Sequence, residues 1–201
     1  MGEFGFPVSL PQLEASQGRG AGPAIPENPG MTANRPVPLF KACVDVDYRE
    51  QEAVCACLLF ERWGAERPAP TLIERVPLTA PYVPGQFYRR ELPGLLATLR
   101  PVLPRVDVVI VDGHVWLGEA PGLGAHRYEA LGRRTAVIGF ARSAFRGASA
   151  VAVRRGPSGR PLHVTAAGLD AEAAAGHIRA MHGEYRLPTL LRQVDQLCRR
   201  A

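Results

Sequence analysis

The sequence has almost no lysine: Lys41 is the only one, so its 24 basic residues are nearly all arginines. Together with a net charge of +5, this bias favours partners that carry planar anionic groups such as phosphates, because a guanidinium can donate two hydrogen bonds to one anion. A GC-rich genome would produce the same excess of arginine over lysine. The sequence alone does not separate these two explanations.

Other absences exclude further classes of protein. The four cysteines form no Cys-x-x-Cys pair and lack a histidine at zinc-finger spacing, which argues against a zinc site. No apolar run approaches the roughly 18 residues of a membrane span, and no basic region followed by an apolar segment begins the chain. We therefore expect a soluble, reduced, cytoplasmic protein without a membrane partner.

The N-terminal part of the sequence differs in composition from the rest. Residues 1–38 contain seven prolines and several glycines without apolar periodicity, which is typical of a flexible leader. Met31 is a candidate natural start, with the residues before it an expression-vector remnant or an extended reading frame. Residues 39–201 are long enough for one domain with its own core.

The stretch Arg105–Gly113 is the centre of the predicted fold. Its four consecutive β-branched residues, Val108–Val111, predict a strand that is buried on both faces. Asp112 lies at the C-terminal end of that strand, where open α/β sheets place their ligands. Burying a carboxylate is costly unless a cation meets it, and a divalent metal ion would offset that cost well.

Alternation of apolar residues predicts strands over Leu39–Tyr48, Val54–Trp63 and Thr71–Val76, which form an antiparallel start to the sheet. A helix then contains leucines at helical spacing. We expect Pro93 in the first turn of this helix, and Glu91 at its N-terminus, where the helix dipole favours a negative charge. That dipole is a sufficient structural reason for an acid at this position.

The elements after the central strand alternate between helix and strand. They are a helix at Ala125–Leu131, a strand at Thr135–Phe140, a hairpin of Ala150–Arg154 and Leu162–Thr165, a helix capped by Asp170, and a helix at Thr189–Arg200. This order is typical of an α/β, ribonuclease-H-like fold, a mixed β-sheet flanked by helices. We expect five strands, with acids on the first and fourth.

Four acids on separate elements could form a metal site: Asp45, Glu91, Asp112 and Asp195. We expect the first three to meet at one edge of the sheet. Carboxylate oxygens suit Mg²⁺ or Mn²⁺, and two such ions about 3.5–4 Å apart can clamp the attacking and leaving oxygens of a phosphodiester. Scattered structural acids are the competing interpretation of this spacing.

Six short motifs resemble, in order, the successive motifs of the endonuclease V family, and together they cover residues 39 to 200. They are Val44–Tyr48, Pro81–Gly85 followed by Arg90 and Glu91, Asp107–Gly113, Gly122–His126, Val137–Ser143, and Arg186–Pro188 with Asp195. Several motifs in the right order are more specific than any single motif.

The resemblance implies a metal-dependent endonuclease that recognises inosine in DNA or RNA and cuts the strand on the 3′ side, one nucleotide beyond the deaminated base. It implies Mg²⁺, for which Mn²⁺ can substitute, held by Asp45, Glu91 and Asp112. It makes Asp195 a further active-site carboxylate. The expected partner is nucleic acid containing deaminated bases, bound by a monomer.

The resemblance also assigns a loop that separates the two strands at the deaminated base. This loop consists of Pro81, Tyr82, Val83, Pro84 and Gly85. Tyr82 would be the stacking residue, and stacking on a side chain would offset part of the cost of removing a base from the duplex. The alternative is that Tyr82 is a loop aromatic packed on the core.

Further candidate contacts to nucleic acid are Arg89, Arg90, His114 and His126. His126 is equally consistent with a residue that packs a helix, and His114 with a histidine whose hydrogen bonds are satisfied within a loop. Arg142 is a candidate catalytic residue at a position where the family has lysine, and it keeps the charge but cannot deliver a proton.

The sequence departs from the family pattern elsewhere as well. The family's histidine six residues after the third-motif aspartate is replaced by Gly118, whereas His114 stands four residues earlier, and Arg89 replaces a common phenylalanine. Gly168-Leu169 stands where the family usually has Gly-His. The acids are unchanged, so we expect phosphodiester cleavage to survive. Two alternatives stay open: a nuclease for another lesion or structure, and a non-catalytic nucleic-acid-binding module of the same fold.

Overall fold

The computed structural model describes residues 39–78 and 88–201. The predicted leader, residues 1–38, and the Pro81–Gly85 loop with Tyr82 lie outside these residues. None of the helices in the described ranges combines the length and apolar character that crossing a membrane requires.

The described residues form one large sheet and a small two-stranded ribbon, with helices between the strands. The strands are β1 (Phe40–Tyr48), β2 (Glu52–Phe60), β3 (Thr71–Pro77), β4 (Val106–Asp112), β5 (Trp116–Leu117), β6 (Ala120–Pro121), β7 (Ala136–Ala141), β8 (Val151–Val153) and β9 (Leu162–Ala167). The α-helices are α1 (Tyr88–Leu99), α2 (Leu123–Ala130), α3 (Ala171–Ala180) and α4 (Thr189–Arg200).

The large sheet is mixed and has the strand order β3-β2-β1-β4-β7-β9-β8. β4 runs parallel to both of its neighbours, β1 and β7, and the other pairs are antiparallel. The expected number of five strands is wrong. The predicted hairpin of β8 and β9 belongs to the same sheet, because β9 pairs with β7, and the sheet therefore has seven strands.

The prediction of a doubly buried central strand is confirmed. Val109, Ile110 and Val111 are fully buried. Ile110 faces the core that includes α3 and α4, whereas Val109 and Val111 face the core that includes α1. The sheet therefore has helices on both faces, and β4 ends at Asp112 between these two layers.

The helix predictions agree with the structure apart from the position of Pro93 and the bounds of α2, which begins at Leu123 and not at the predicted Ala125. α4 has the predicted bounds, and the Asp170 carboxylate caps α3 by accepting a hydrogen bond from the Ala173 amide at 2.9 Å. Pro93 was expected in the first turn of α1 but lies in its interior. Proline has no amide hydrogen, so the helix loses the hydrogen bond to the carbonyl four residues earlier but continues to Leu99.

A buried arginine holds the segment that leads into α4. Arg155 is 7% exposed, and its guanidinium donates to the carbonyl oxygens of Tyr185 at 2.9 Å and Gly183 at 3.0 Å, and also to that of Met181. Carbonyls of an irregular segment need such donors when they are removed from water. Arg155 thus helps to place the start of α4, the helix that carries Asp195.

Candidate active site

Asp45 and Asp112 are neighbours on adjacent parallel strands. Val44 of β1 is in register with Val111 of β4, and each aspartate is the next residue in its strand. Residues in register on parallel strands point to the same face of the sheet. Because Cys43 and Ile110, two positions earlier, belong to the core with α4, both carboxylates lie on the α4 side.

Two helices bring the other acids to the same place. Asp195 lies in α4, which packs on this face of the sheet, and Glu91 lies in the first turn of α1, on the opposite face. All four predicted acids line one cavity of about 220 Å³. Its lining also includes Asp47, Tyr48, Leu123, Arg142, Cys198 and Arg199.

A larger cavity, of about 720 Å³, lies at the other end of the sheet, where β4 begins at Val106. Arg100, Arg134 and Thr135 are among its lining residues, and no carboxylate is among those of the described part of the chain. The four predicted acids are therefore all in the smaller cavity, and none of them lines this larger one.

Three acids of the small cavity, Asp45, Glu91 and Asp112, have raised pKa values. Burial, reinforced by the charges of Asp112 and Asp195, raises the pKa of Asp45 to about 6. Burial also raises the pKa of Glu91, with Arg127 opposing the shift, and the pKa of Asp112, with Arg142 opposing it. A group of acids that lacks sufficient positive charge is what a cation would stabilise.

Glu91 has a cationic partner that the sequence did not single out. The Arg127 guanidinium of α2 donates from Nη2 to Glu91 Oε1, and the side chains are 5% and 7% exposed, respectively. Nothing in the sequence distinguishes Arg127 from the other arginines, because arginine in a weakly amphipathic helix is ordinarily exposed. Only the three-dimensional packing of α1 against α2 explains its burial.

Two more arginines lie at the opening of the cavity. Arg142 Nη2 is 3.5 Å from Asp112 Oδ2, and 51% of the Arg142 side chain is exposed. Arg199 Nη2 donates to Asp195 Oδ1 at 2.8 Å, one helical turn away. Both guanidinium groups are accessible to an anion that approaches the carboxylates.

Four further predicted contact residues belong to the described ranges, and none of them is part of the lining of this cavity. His126 stacks on Tyr88, with ring centroids 3.7 Å apart, which is a packing contact between α1 and α2. Arg89 is exposed and Arg90 lies over the Tyr48 ring at 5.3 Å. His114 Nε2 is 3.2 Å from the Ser143 carbonyl oxygen.

The acids of the cavity suit a hard divalent cation. Oε2 of Glu91 is buried and accepts no hydrogen bond from the described residues, so this oxygen is available as a ligand. In the described ranges no three acidic, histidine or cysteine side chains already stand close enough together to hold an ion. The four acids therefore share one cavity without forming a ready-made set of metal ligands among the described residues.

The raised pKa of Asp45 leads to a prediction about stability. A carboxyl with a pKa of about 6 in the folded protein and about 4 in the unfolded chain binds its proton more tightly when folded. Its stabilising contribution is therefore complete below about pH 4 and is lost as the pH rises through about 6. Asp45→Asn should raise the free energy of unfolding by about 1–2 kcal/mol at pH 8 and change it little at pH 4.

Urea unfolding in metal-free buffer at both pH values measures this difference. Asp47→Asn is the matched control on the same strand, and it should not stabilise the protein because Asp47 is 3.5 Å from the Arg49 guanidinium. A loss of stability in Asp45→Asn at pH 8 would contradict the electrostatic account of the cavity.

Comparisons with known proteins agree with this fold. The family model for Endonuclease V matches residues 32–165. An Endonuclease V from Nocardia farcinica is 28% identical over 197 residues, which cover 85% of both chains. The crystal structure of Endonuclease V from Streptomyces avermitilis has a TM-score of 0.68 and 24% identity, covering 83% of this chain and 82% of the other.

A third relative was solved with nucleic acid. It is the Ciona intestinalis Endonuclease V in complex with a 24mer DNA containing an inosine followed by a ribo-adenosine, with a TM-score of 0.61 and 19% identity, covering 81% of this chain and 84% of the other. At these identities the structural likeness establishes the fold. The ribonuclease-H-like prediction is confirmed.

Proposed function

Because the chain belongs to the endonuclease V family, whose model matches residues 32–165, we propose that it cleaves the phosphodiester on the 3′ side of inosine in DNA or RNA, one nucleotide beyond the base. Family membership makes it a metal-dependent nuclease, which is a phosphodiester hydrolase. The metal that we propose is Mg²⁺, with Mn²⁺ as a substitute.

The observation that carries this proposal is the convergence of four carboxylates on one cavity at the end of β4. A site that only bound nucleic acid would gain nothing from acids facing phosphates, because they repel the backbone. Carboxylates become useful there when a divalent cation lies between them and the phosphate. This arrangement favours hydrolysis over the alternative of a non-catalytic binding module.

The roles of the chain's own residues follow from their positions. Asp45, Glu91 and Asp112 would hold the cation, with Glu91 offering Oε2, which accepts no hydrogen bond from the described residues. When bound, the ion supplies a polarised phosphate and an activated water. Arg142, accessible beside Asp112, would bind the phosphate without transferring a proton, and Asp195 would contribute negative charge from α4.

The choice of inosine rests on the family and on the Ciona intestinalis relative, whose structure contains an inosine-bearing DNA. For the strand-separating role we propose Pro81–Gly85, with Tyr82 stacking on the neighbouring base. Arg89, exposed at the start of α1, and Arg90 would bind backbone phosphates nearby.

The test is a cleavage assay with one sequence in three forms, single-stranded DNA, double-stranded DNA and RNA, each carrying either inosine or adenosine at the same position. With Mg²⁺ we expect a single cut 3′ to inosine and no cut in the adenosine controls. Equal cleavage of both would favour a nuclease for another lesion, which the altered residues after Asp112 would explain. No cleavage with Mg²⁺ or Mn²⁺ would overturn the proposal.

A further inference from the structure

A surface beside the active site carries aromatic side chains that the cleavage chemistry does not use. Trp116 of β5 is 38% exposed, and Phe145, in the loop after β7, is 47% exposed. We call these two residues, together with His114, the aromatic surface. Large apolar side chains exposed near each other on a nucleic-acid-binding protein indicate a contact with a partner.

Several contacts join the two segments that form the aromatic surface. The His114 ring lies 6.3 Å from that of Phe145, and His114 Nε2 is 3.2 Å from the carbonyl oxygen of Ser143. A Cβ on Gly118 would lie 3.3 Å from the carbonyl oxygen of Gly147, so backbone meets backbone there. The β5–β6 ribbon and the loop at residues 142–147 therefore form one continuous surface.

The position of Trp116 is fixed although its ring remains accessible. Its indole Nε1 donates to the carbonyl oxygen of Ala166 at 3.0 Å. This hydrogen bond holds the polar edge of the ring against β9 and leaves part of the ring open to solvent. A tryptophan with a purely structural role would ordinarily bury more of its surface.

The aromatic surface adjoins the active site along the chain on both sides. Trp116 follows Asp112 by four residues, and Phe145 follows Arg142 by three. Arg142 and Asp112 are themselves an ion pair at 3.5 Å. The loop also carries the exposed Arg146, so cationic groups that attract phosphates lie next to rings that can stack on bases.

We propose that Trp116 and Phe145 stack on unpaired nucleotides of the substrate strand next to the cleavage site. This inference rests on the proposed function and adds a substrate form, because a ring can stack on a base only where that base is not already covered by neighbours in a duplex. Stacking tolerates every base, since each has a π-face, and Arg142 and Arg146 bind the intervening phosphates. The occupant of the surface is therefore single-stranded DNA or RNA.

Binding of a labelled single-stranded oligonucleotide without inosine, measured by fluorescence anisotropy in EDTA, tests this surface without cleavage. Trp116→Ala and Phe145→Ala should each raise the Kd at least about fivefold, and Trp116→Phe should keep most of the affinity. Tyr185→Ala is the matched control, because Tyr185 is an aromatic residue of 53% exposure that packs on Arg192 in a different part of the surface. A duplex of the same sequence should bind the alanine variants nearly as well as wild type.

A spectroscopic measurement separates stacking from a purely structural effect. The chain has two tryptophans, Trp63 and Trp116, and Trp63 stacks on His177. In the Trp63→Phe variant, Trp116 is the sole indole, and its emission should be quenched as the single strand binds. Unchanged emission at saturating oligonucleotide, or wild-type affinity in both alanine variants, would overturn the proposal.

These outcomes are independent of inosine cleavage. If the protein cleaves inosine substrates but the alanine variants bind single strands normally, the surface proposal fails and the proposed function stands. If no inosine is cleaved but single-strand affinity depends on Trp116 and Phe145, the surface proposal stands and the proposed substrate is wrong.

Discussion

Asp112→Asn is expected to lower the rate of inosine-strand cleavage by about a thousandfold or more at saturating Mg²⁺, because it removes a charged oxygen from the end of β4 where the cation would bind. The substitution should not destabilise the fold. Burial and the neighbouring Asp195 raise the pKa of Asp112, so its negative charge does not stabilise the metal-free protein. The free energy of unfolding of the variant should equal or exceed that of wild type.

Single-turnover cleavage and urea unfolding of the same preparations measure the two effects. Asp107→Asn is the matched control: it makes the same change on the same strand, but near the other end, where Asp107 is 3.6 Å from Lys41 Nζ. That control should cleave at the wild-type rate. If Asp112→Asn cleaves within about tenfold of wild type, Asp112 is not a ligand of the essential cation.

The parts of the fold that could be predicted from the sequence are those in which local pattern and burial coincide. The run Val108–Val111 predicts a central strand because four consecutive apolar residues place apolar side chains on both faces of a strand, and both faces must then be buried. The last helix could be bounded because its apolar stripe and polar ends fall within one segment, and Asp170 identifies the start of α3 because a cap acts on the next three residues.

The number of strands in the sheet could not be derived in this way. The β8–β9 hairpin is a local feature, but its pairing with β7 depends on which sheet edge is free once all elements are packed. Pro93 was placed in the first turn of α1 because proline is best tolerated there. In the structure the burial of Leu95 and Leu99 outweighs the one lost hydrogen bond.

The candidate site likewise contains some residues that the local sequence pattern could predict and others that only three-dimensional packing determines. Asp45, Glu91 and Asp112 could be selected because each stands at an element end or on a polar face of a strand, and Asp195 because it lies at the edge of the apolar stripe of α4. Their partners could not, because ion pairs such as Arg127 with Glu91 join residues 36 positions apart in the chain. Which of 24 basic residues is buried beside the acids depends on how the helices pack.

Arg127→Met is expected to lower the free energy of unfolding by about 3–5 kcal/mol at pH 8, because it leaves the Glu91 carboxylate buried without its cationic partner. Burial raises the pKa of Glu91, and without Arg127 the pKa should rise further. A group whose pKa is raised by folding stabilises the protein at low pH and loses that contribution as the pH rises. The loss should therefore be smaller at pH 5, where Glu91 can take up a proton, than at pH 8.

The double variant Glu91→Gln/Arg127→Met should recover most of the lost stability, since it removes both charges and leaves groups of similar size. Urea unfolding of wild type, both single variants and the double variant gives the coupling energy of the pair. Arg133→Met is the matched control. Arg133 follows α2 and forms an exposed ion pair with Glu129, and such a pair should contribute little to the free energy of unfolding. If Arg127→Met is as stable as Arg133→Met, another group must offset the cost of burying the Glu91 carboxylate. Arg127 would then not be the cation that stabilises this acid inside the fold.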